Sequence, residues 1–277
     1  MKKWNLIIDI ARCHDCNNCF LADKDEFVGN DFPSYSVAQP WAGQRWMNIE
    51  RKERGQYPIV QVSYLPVPCM HCDDAPCLTA DGAVYKREDG LVIIDPVRAR
   101  GREEIVDTCP YGAIYWNEKA EVAQKCTGCV HLLEDGWTET RCSQVCPTEA
   151  INLVLAEDAE MAKLAAAEGL EAFRAELGTK PRVYYKNLHR WTKVFASGSV
   201  AFEDTDECAE GAKVTVEAGE ATVGQGLVDN YGQFVVDHLE PGQRYTVTVR
   251  ALGCKAWSEA VTVDQSLNLG TILLERM

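Results

Sequence analysis

Eleven of the thirteen cysteines lie between Cys13 and Cys146, and most of them fall in tight groups. The groups are Cys13, Cys16 and Cys19; then Cys69, Cys72 and Cys77; then Cys109 alone before Pro110. The last holds Cys126, Cys129, Cys142 and Cys146, with Pro147 following. Runs of Cys-x2-Cys-x2-Cys, matched to a distant Cys-Pro, are the spacing that wraps thiolates around a cubane iron–sulfur cluster. A zinc site would account for one pair such as Cys126 and Cys129, and a disulfide framework for the total count. Neither accounts for three-cysteine runs or for Cys-Pro terminators.

An internal repeat decides how many clusters the chain can hold. Ile7-Ile8-Asp9-Ile10-Ala11-Arg12-Cys13 aligns without a gap on Ile93-Ile94-Asp95-Pro96-Val97-Arg98-Ala99. Cys16 then faces Arg102, Cys19 faces Ile105 and Asp23 faces Cys109. Likewise Cys109-Pro110-Tyr111-Gly112-Ala113-Ile114 echoes Cys146-Pro147-Thr148-Glu149-Ala150-Ile151. Each unit reads as a short apolar strand, a cysteine loop and one or two helical turns ending at Cys-Pro, where proline stops a helix. The class is α+β, a duplicated bacterial-ferredoxin-like cluster domain with four ligand runs in two pairs. In such pairs the fourth cysteine of one run ligates the cluster held by the other. Cys13, Cys16 and Cys19 therefore take Cys146, and Cys69, Cys72 and Cys77 take Cys109. Cys126, Cys129 and Cys142 take the residue at the first run's fourth position, Asp23. A fourth site would need Ala99, Arg102 and Ile105, closed from Asp81. All four positions lack cysteine together, so the expected count is three clusters.

Asp23 leaves two readings open. Its carboxylate is a harder donor than a thiolate, but it is anionic and can hold the unique iron of a [4Fe-4S] cluster. Alternatively it faces solvent on an acidic helix with Asp25 and Glu26, and the site holds a [3Fe-4S] cluster or closes with water or hydroxide.

A length of 277 residues favours about two domains. The formal charge of −14 argues against nucleic-acid binding. Cations nevertheless sit beside ligands (Arg12, Lys125 and Arg141), where they would offset cluster charge or simply lie on the surface. No apolar stretch reaches the ~18 residues of a membrane span. No signal-peptide apolar region or twin-arginine pair is read before Cys13. Thiolates kept for metal suit a reducing compartment, so the expected location is cytoplasmic.

The expected domains are residues 1–195, carrying the clusters, and 196–277, a small all-β sandwich. Within the first, residues 29–66 read as a long aromatic- and arginine-rich insertion (Phe32, Tyr35, Trp41, Arg45, Trp46, Arg51, Arg54, Tyr57). Such composition suits a surface for another subunit or a self-packed loop over a cluster. A hairpin is expected from Ala83 to Asp95, turning at Asp89-Gly90, and another joins Ala113–Trp116 to Ala120–Ala123. His71 and His131 read as surface or supporting groups, since thiolates already fill the sites. Glu157 to Leu177 reads as one amphipathic helix with Met161, Leu164, Leu170, Phe173 and Leu177 on a stripe, stopped by Gly178. The second domain shows alternation in Lys213–Glu217, Gln233–Val236, Tyr245–Arg250 and Glu259–Val263. Cys208 and Cys254 read as free, semi-buried thiols.

The ligand pattern resembles the iron–sulfur subunits of the molybdopterin oxidoreductase (DMSO-reductase) family. Four stretches carry the likeness along nearly the whole chain: Cys13-His14-Asp15-Cys16-Asn17-Asn18-Cys19, Arg45-Trp46-Met47-Asn48-Ile49-Glu50-Arg51, Pro68-Cys69-Met70-His71-Cys72 and Thr108-Cys109-Pro110-Tyr111-Gly112. Gly232-Gln233-Phe234 and Leu239-Glu240-Pro241-Gly242 resemble the transthyretin-like or carboxypeptidase-regulatory-like β module. Within the family the likeness is to the branch working on hydroxylated aromatic substrates, as transhydroxylases or hydroxylases. That branch has cysteine where this chain has Asp23. The resemblance implies a large partner subunit carrying molybdenum on two pyranopterin guanine dinucleotides, with the substrate bound there.

The expected function is electron transfer within such a heteromeric enzyme, by a subunit without a catalytic site of its own. No nucleophile–base pair or phosphate-cradling glycine loop is found. The alternatives are a freestanding multi-cluster carrier and a partner subunit whose clusters are mainly structural. An external electron carrier is a further candidate partner.

Overall fold

The apolar run around Ile7 and Ile8 forms the strand Lys3–Asp9, which organises the cysteine-bearing part of the chain. It pairs antiparallel with Ile151–Ala156 and parallel with Val183–Lys186, and Glu171–Ala172 adds the edge. Ile8 lies opposite Ile151, and the Asp9 amide donates to the Ala150 carbonyl at 2.8 Å. The first cysteine loop leaves one strand where Cys146 enters the other, so the two ends of the duplicated unit meet. The computed structural model describes residues 1–277, in two compact units: Met1–Arg51 with Tyr64–Leu188, and Lys52–Ser63 with His189–Met277.

The repeat reappears in the hydrogen bonding. Asp9 Oδ1 accepts the Ala11 amide at 2.9 Å, and Asp95 Oδ1 accepts the Val97 amide at the same distance. Each is an Asx turn that launches a loop from a strand end. Ile8 and Ile94 are both buried just before it. The expected hairpins form as Val84–Lys86 with Val92–Ile94 and as Tyr115–Asn117 with Val122–Gln124.

Two expectations are corrected. The helix read over 157–177 covers only Asp158–Glu168, and Met161 is its one buried residue. Gly169 ends it in the left-handed conformation, φ 63, where glycine carries no Cβ penalty, and the Leu170 amide bonds back to Ala165. Phe173 reaches the interior separately, edge-on to Tyr185 at 5.9 Å. The insertion 29–66 is also more ordered than read, because Asn48–Gln56 and Ile59–Val67 form a hairpin. Its aromatics divide: Trp46 is buried against Phe27 at 4.8 Å, whereas Trp41 remains 85% exposed.

The second unit contains a sheet ordered Gln233–Leu239, Val194–Phe202, Leu267–Leu274 and another ordered Ala221–Leu227, Lys213–Ala218, Gln243–Arg250, Trp257–Val263. Alternate residues Tyr245, Val247 and Val249 fill its core with Val214, Val216, Phe234 and Val236. Both cysteines here are free, but neither is half-buried as read: Cys208 is exposed and Cys254 buried.

Arg54, at the hairpin tip that belongs to this unit, is buried. It donates to both Asp237 oxygens, at 3.0 and 2.7 Å, to Gln61 Oε1 at 2.8 Å and to the Lys193 carbonyl at 3.2 Å. Burial alone would raise Asp237, but the Arg54 hydrogen bonds and the His238 amide hold it below the usual carboxylate range. Asp237→Ala leaves a buried cation without its partner and is expected to cost about 3–5 kcal/mol. The loss should appear as faster hydrogen exchange across this unit. The native carboxyl is depressed, so its contribution is full above the unfolded value of about 3.9 and disappears as pH falls through the lower folded value. An exchange profile unchanged by Asp237→Ala would mean the pair contributes nothing.

Candidate metal centres

The three cysteine loops share one backbone device. Asp15, His71 and Gly128 hold the third position of each Cys-x-x-Cys, and all are left-handed, with φ of 54, 44 and 68. After each Cys-Pro, Gly112 and Glu149 repeat the conformation, with φ of 64 and 51. Non-glycine residues occupy this region rarely, and when they do it is often at ligand clamps. Here it turns amides onto sulfur. The His71 amide donates to Cys69 Sγ at 3.5 Å, Gly128 to Cys126 Sγ at 3.4 Å and Ala150 to Cys146 Sγ at 3.3 Å. The Arg141 amide reaches Cys129 Sγ at 3.5 Å. Donors placed on sulfur favour the anionic thiolate.

Two cavities collect most of the candidate ligands. One is lined by Cys126, Cys129, Cys142 and Asp23, with Met47 and Leu91 among its apolar walls. The other is lined by Cys69, Cys72, Cys77 and Cys109, with Val92 and Ile114. Cys69 and His71 border both. Asp23 does not face solvent, as one reading had it: it is only 7% exposed, and Oδ2 accepts from Gln39 Nε2 at 3.2 Å. The remaining set is more open, with Cys19 buried, Cys13 and Cys146 partly covered and Cys16 exposed.

Burial dominates the electrostatics of these sets. Burial pushes Cys77 and Cys19 up to about 12 and Cys72 and Cys142 up to about 11. Cys126 and Cys129 rise further, from burial and then from the neighbouring Asp23 and Cys142 groups. Asp23 itself is pushed by burial up to about 7, against the Gln39 hydrogen bond. Cys13 rises by burial and by its neighbour Cys146. Cys146 is the exception: burial opposes it, but the Thr148 hydroxyl and the amides of Ile151 and Ala150 bring it down. A buried group of acids, with amides already aimed at the sulfurs, is a ready ligand set for a metal. An iron–sulfur cluster fits these residues, because iron supplies positive charge and the thiolates its coordination.

The locus of the missing fourth set survives in the backbone. Gly101, at the position equivalent to Asp15, keeps the left-handed turn, φ 74. Ala99 and Ile105 are buried. Arg102 Nη1 meets Asp81 Oδ2 at 2.8 Å, so the two residues that would have shared a cluster across the repeat now touch directly. The Thr79 hydroxyl, the Ala83 amide and Arg102 hold Asp81 down at about 2. An ion pair stands where the pairing rule puts a cluster.

Of the three cations beside ligands, Arg12 makes an exposed pair with Glu149 at 3.0 Å, and Arg141 Nε meets Glu26 at 3.0 Å. Lys125 alone is buried, its ammonium donating to the carbonyls of Val92 and Cys126. His131 Nε2 donates to Glu26 at 2.8 Å, and the ring stacks on Phe32 at 3.8 Å. Sequence reasoning missed Gln39, Met47 and the burial of Lys125, and no local pattern marks them. In the other unit His189, Asp237 and His238 lie close together. Their imidazoles are stacked at 3.7 Å, and both Asp237 oxygens accept from Arg54.

Comparison with known proteins follows the same division. Residues 60–156 match the 4Fe-4S dicluster domain family, and residues 196–275 the carboxypeptidase regulatory-like domain family. The pyrogallol hydroxytransferase small subunit of Pelobacter acidigallici is 46% identical over 99% of this chain and 100% of its own. A putative dimethyl sulfoxide reductase iron-sulfur subunit of Halobacterium salinarum is 29% identical, over 68% of this chain and 80% of that one. One polypeptide of the anaerobic dimethyl sulfoxide reductase of Escherichia coli is 32% identical, over 54% of this chain and 72% of its own length.

The retained turn at Gly101 generates a test of the pairing rule. Replacing Asp81, Ala99, Arg102 and Ile105 together by cysteine is expected to raise bound iron by about four per chain after anaerobic reconstitution. Iron content equal to that of the parent would mean that the locus no longer has the geometry of a cluster site.

Proposed function

The chain belongs to the iron–sulfur subunits of the molybdopterin oxidoreductase (DMSO-reductase) family, and we propose that it is the electron-transfer subunit of a heteromeric enzyme acting on a hydroxylated aromatic substrate. The observation that carries this reading is the pair of cysteine-lined cavities that share the Cys69 wall, with a third, more open cysteine set on the same unit. The full-length likeness to a pyrogallol hydroxytransferase small subunit supports the substrate class, with hydroxyl transfer or hydroxylation as the reaction. Molybdenum on two pyranopterin guanine dinucleotides, and the substrate, belong to a large partner subunit in this reading.

Residues 1–195 are proposed to hold three [4Fe-4S] clusters and residues 196–277 to form an attached β module. Cys13, Cys16, Cys19 and Cys146 hold the first cluster; Cys126, Cys129, Cys142 and Asp23 the second; Cys69, Cys72, Cys77 and Cys109 the third. Bound there, the clusters supply one-electron steps. The chain keeps water from the second and third with apolar walls that include Met47, Leu91, Val92 and Ile114. It offsets the negative charge of the third with the buried Lys125. Thiolate ligation suits a reducing compartment, so the cytoplasm is the proposed location. No helix is long and apolar enough to cross a membrane.

The exposed edge at Cys16 is the proposed contact with the large subunit. Leu21, on the helix that follows, and Trp41 are both strongly exposed and border one hollow with Asn18, Lys24 and Arg141. Leu21→Glu with Trp41→Glu is expected to dissociate the heteromer on size-exclusion chromatography while bound iron is retained. An intact complex would place the interface elsewhere.

For the ligand sets, anaerobically purified protein should carry about 11 to 12 irons per chain. A value near 8 or 16 on the same scale would break the pairing scheme. Asp23→Cys should move the redox signal of one cluster alone and slow its oxidative conversion to a three-iron form. Asp23→Ala should promote that form. If neither variant changes any EPR-monitored titration, Asp23 is not a ligand.

A further inference from the structure

We infer that His71 donates a hydrogen bond from Nε2 to a sulfur of the second cluster, the one assigned to Cys126, Cys129 and Cys142, and so raises that cluster's potential from within the third cluster's loop. This rests on the ligand sets proposed above. The ring's tautomer is fixed by its other nitrogen. Nδ1 accepts the Val92 amide at 3.0 Å, so in the neutral ring the proton sits on Nε2.

That Nε2 is buried and has no acceptor among the protein's atoms. Buried donors are satisfied in nearly all native structures, so an orphan N–H bordering a cavity points to what the cavity holds. His71 borders both cysteine cavities, and Gly128 shows which one Nε2 addresses. A Cβ built on Gly128, between Cys126 and Cys129, would stand 3.4 Å from Nε2. The donor therefore lies against the second cluster's loop, although His71 itself sits between Cys69 and Cys72 of the third.

The ring has little freedom to leave. Lys86 Nζ holds the His71 carbonyl at 3.1 Å and that of Cys72 at 2.7 Å, and Lys125 grips the carbonyl of the same Val92 whose amide binds the ring. A hydrogen bond to cluster sulfur stabilises the reduced, more negative state more than the oxidised one, which raises the potential. His71 acts through the cluster and is a positioning and tuning residue.

Two substitutions separate the donor from the fold. His71→Asn tolerates the left-handed backbone and keeps an acceptor for the Val92 amide, but it does not reach the second loop. His71→Gln restores a donor at the longer reach. In EPR-monitored redox titrations of the purified complex, His71→Asn is expected to lower the midpoint potential of one cluster, the one whose signal responds to Asp23→Cys. The other two should stay in place, and His71→Gln should recover most of the shift. Wild-type protein carrying nitrogen-15 histidine supplies a readout that needs no variant: a nitrogen coupling in the pulsed EPR signal of that same reduced cluster.

Unchanged potentials at full iron content would overturn the proposal, as would an equal shift of all three clusters or a missing nitrogen coupling. If a variant loses iron, the labelled wild type decides. Failure of the ligand sets would register separately, in the iron count and in silence of every signal to Asp23→Cys.

Discussion

The burial of acidic side chains is the constraint on which the cysteine-bearing unit depends. Cys126, Cys129, Cys142 and Asp23 share one cavity, and burial drives every one of them toward the protonated form. Left so, they would be a group of desolvated polar side chains around a void. With a cation bound, the same burial becomes an advantage, because low polarity strengthens the attraction between metal and thiolate. The left-handed turns at Asp15 and His71 are the local cost of aiming amides at sulfur, a cost that glycine avoids at Gly128.

The fourth locus differs, because its one acid, Asp81, is exposed rather than buried. Arg102 brings a guanidinium to Asp81 where the repeat would have placed iron between the two positions. Ala99 and Ile105 fill the space with apolar volume. A positive charge still meets a negative one, but both are now fixed to the chain and cannot change oxidation state. The backbone turn at Gly101 persists because it still connects the same strand to the same helical turn.

Much of this was legible in the sequence because thiolate spacing is nearly a coordinate system. The runs at Cys13, Cys69 and Cys126, the hairpin at Asp89-Gly90 and the alternating strands of the second unit follow from local rules. The helix over 157–177 was misread because the stripe of Leu164, Leu170 and Phe173 outweighed Gly169, an interior glycine that proved to be a stop. Trp46 and Trp41 looked alike in sequence, yet one is core and the other surface, since only tertiary packing against Phe27 distinguishes them. Cys208 and Cys254 differ in burial for the same reason. The burial of Asp23 was open because an acidic helix gives no sign of which face turns inward.

The tie between Arg54 and Asp237 also has a consequence for how the chain is completed. The second unit is discontinuous in sequence: it takes Lys52–Ser63 from the middle of the cluster-bearing segment and everything else from beyond His189. During synthesis the hairpin tip emerges early, with a guanidinium whose carboxylate has not yet been made. Every candidate cluster ligand, through Cys146, is translated before that partner arrives. The last-made strands therefore complete a unit whose first segment has waited through the whole period in which iron can be inserted, so the β unit is finished only after every candidate ligand has been made.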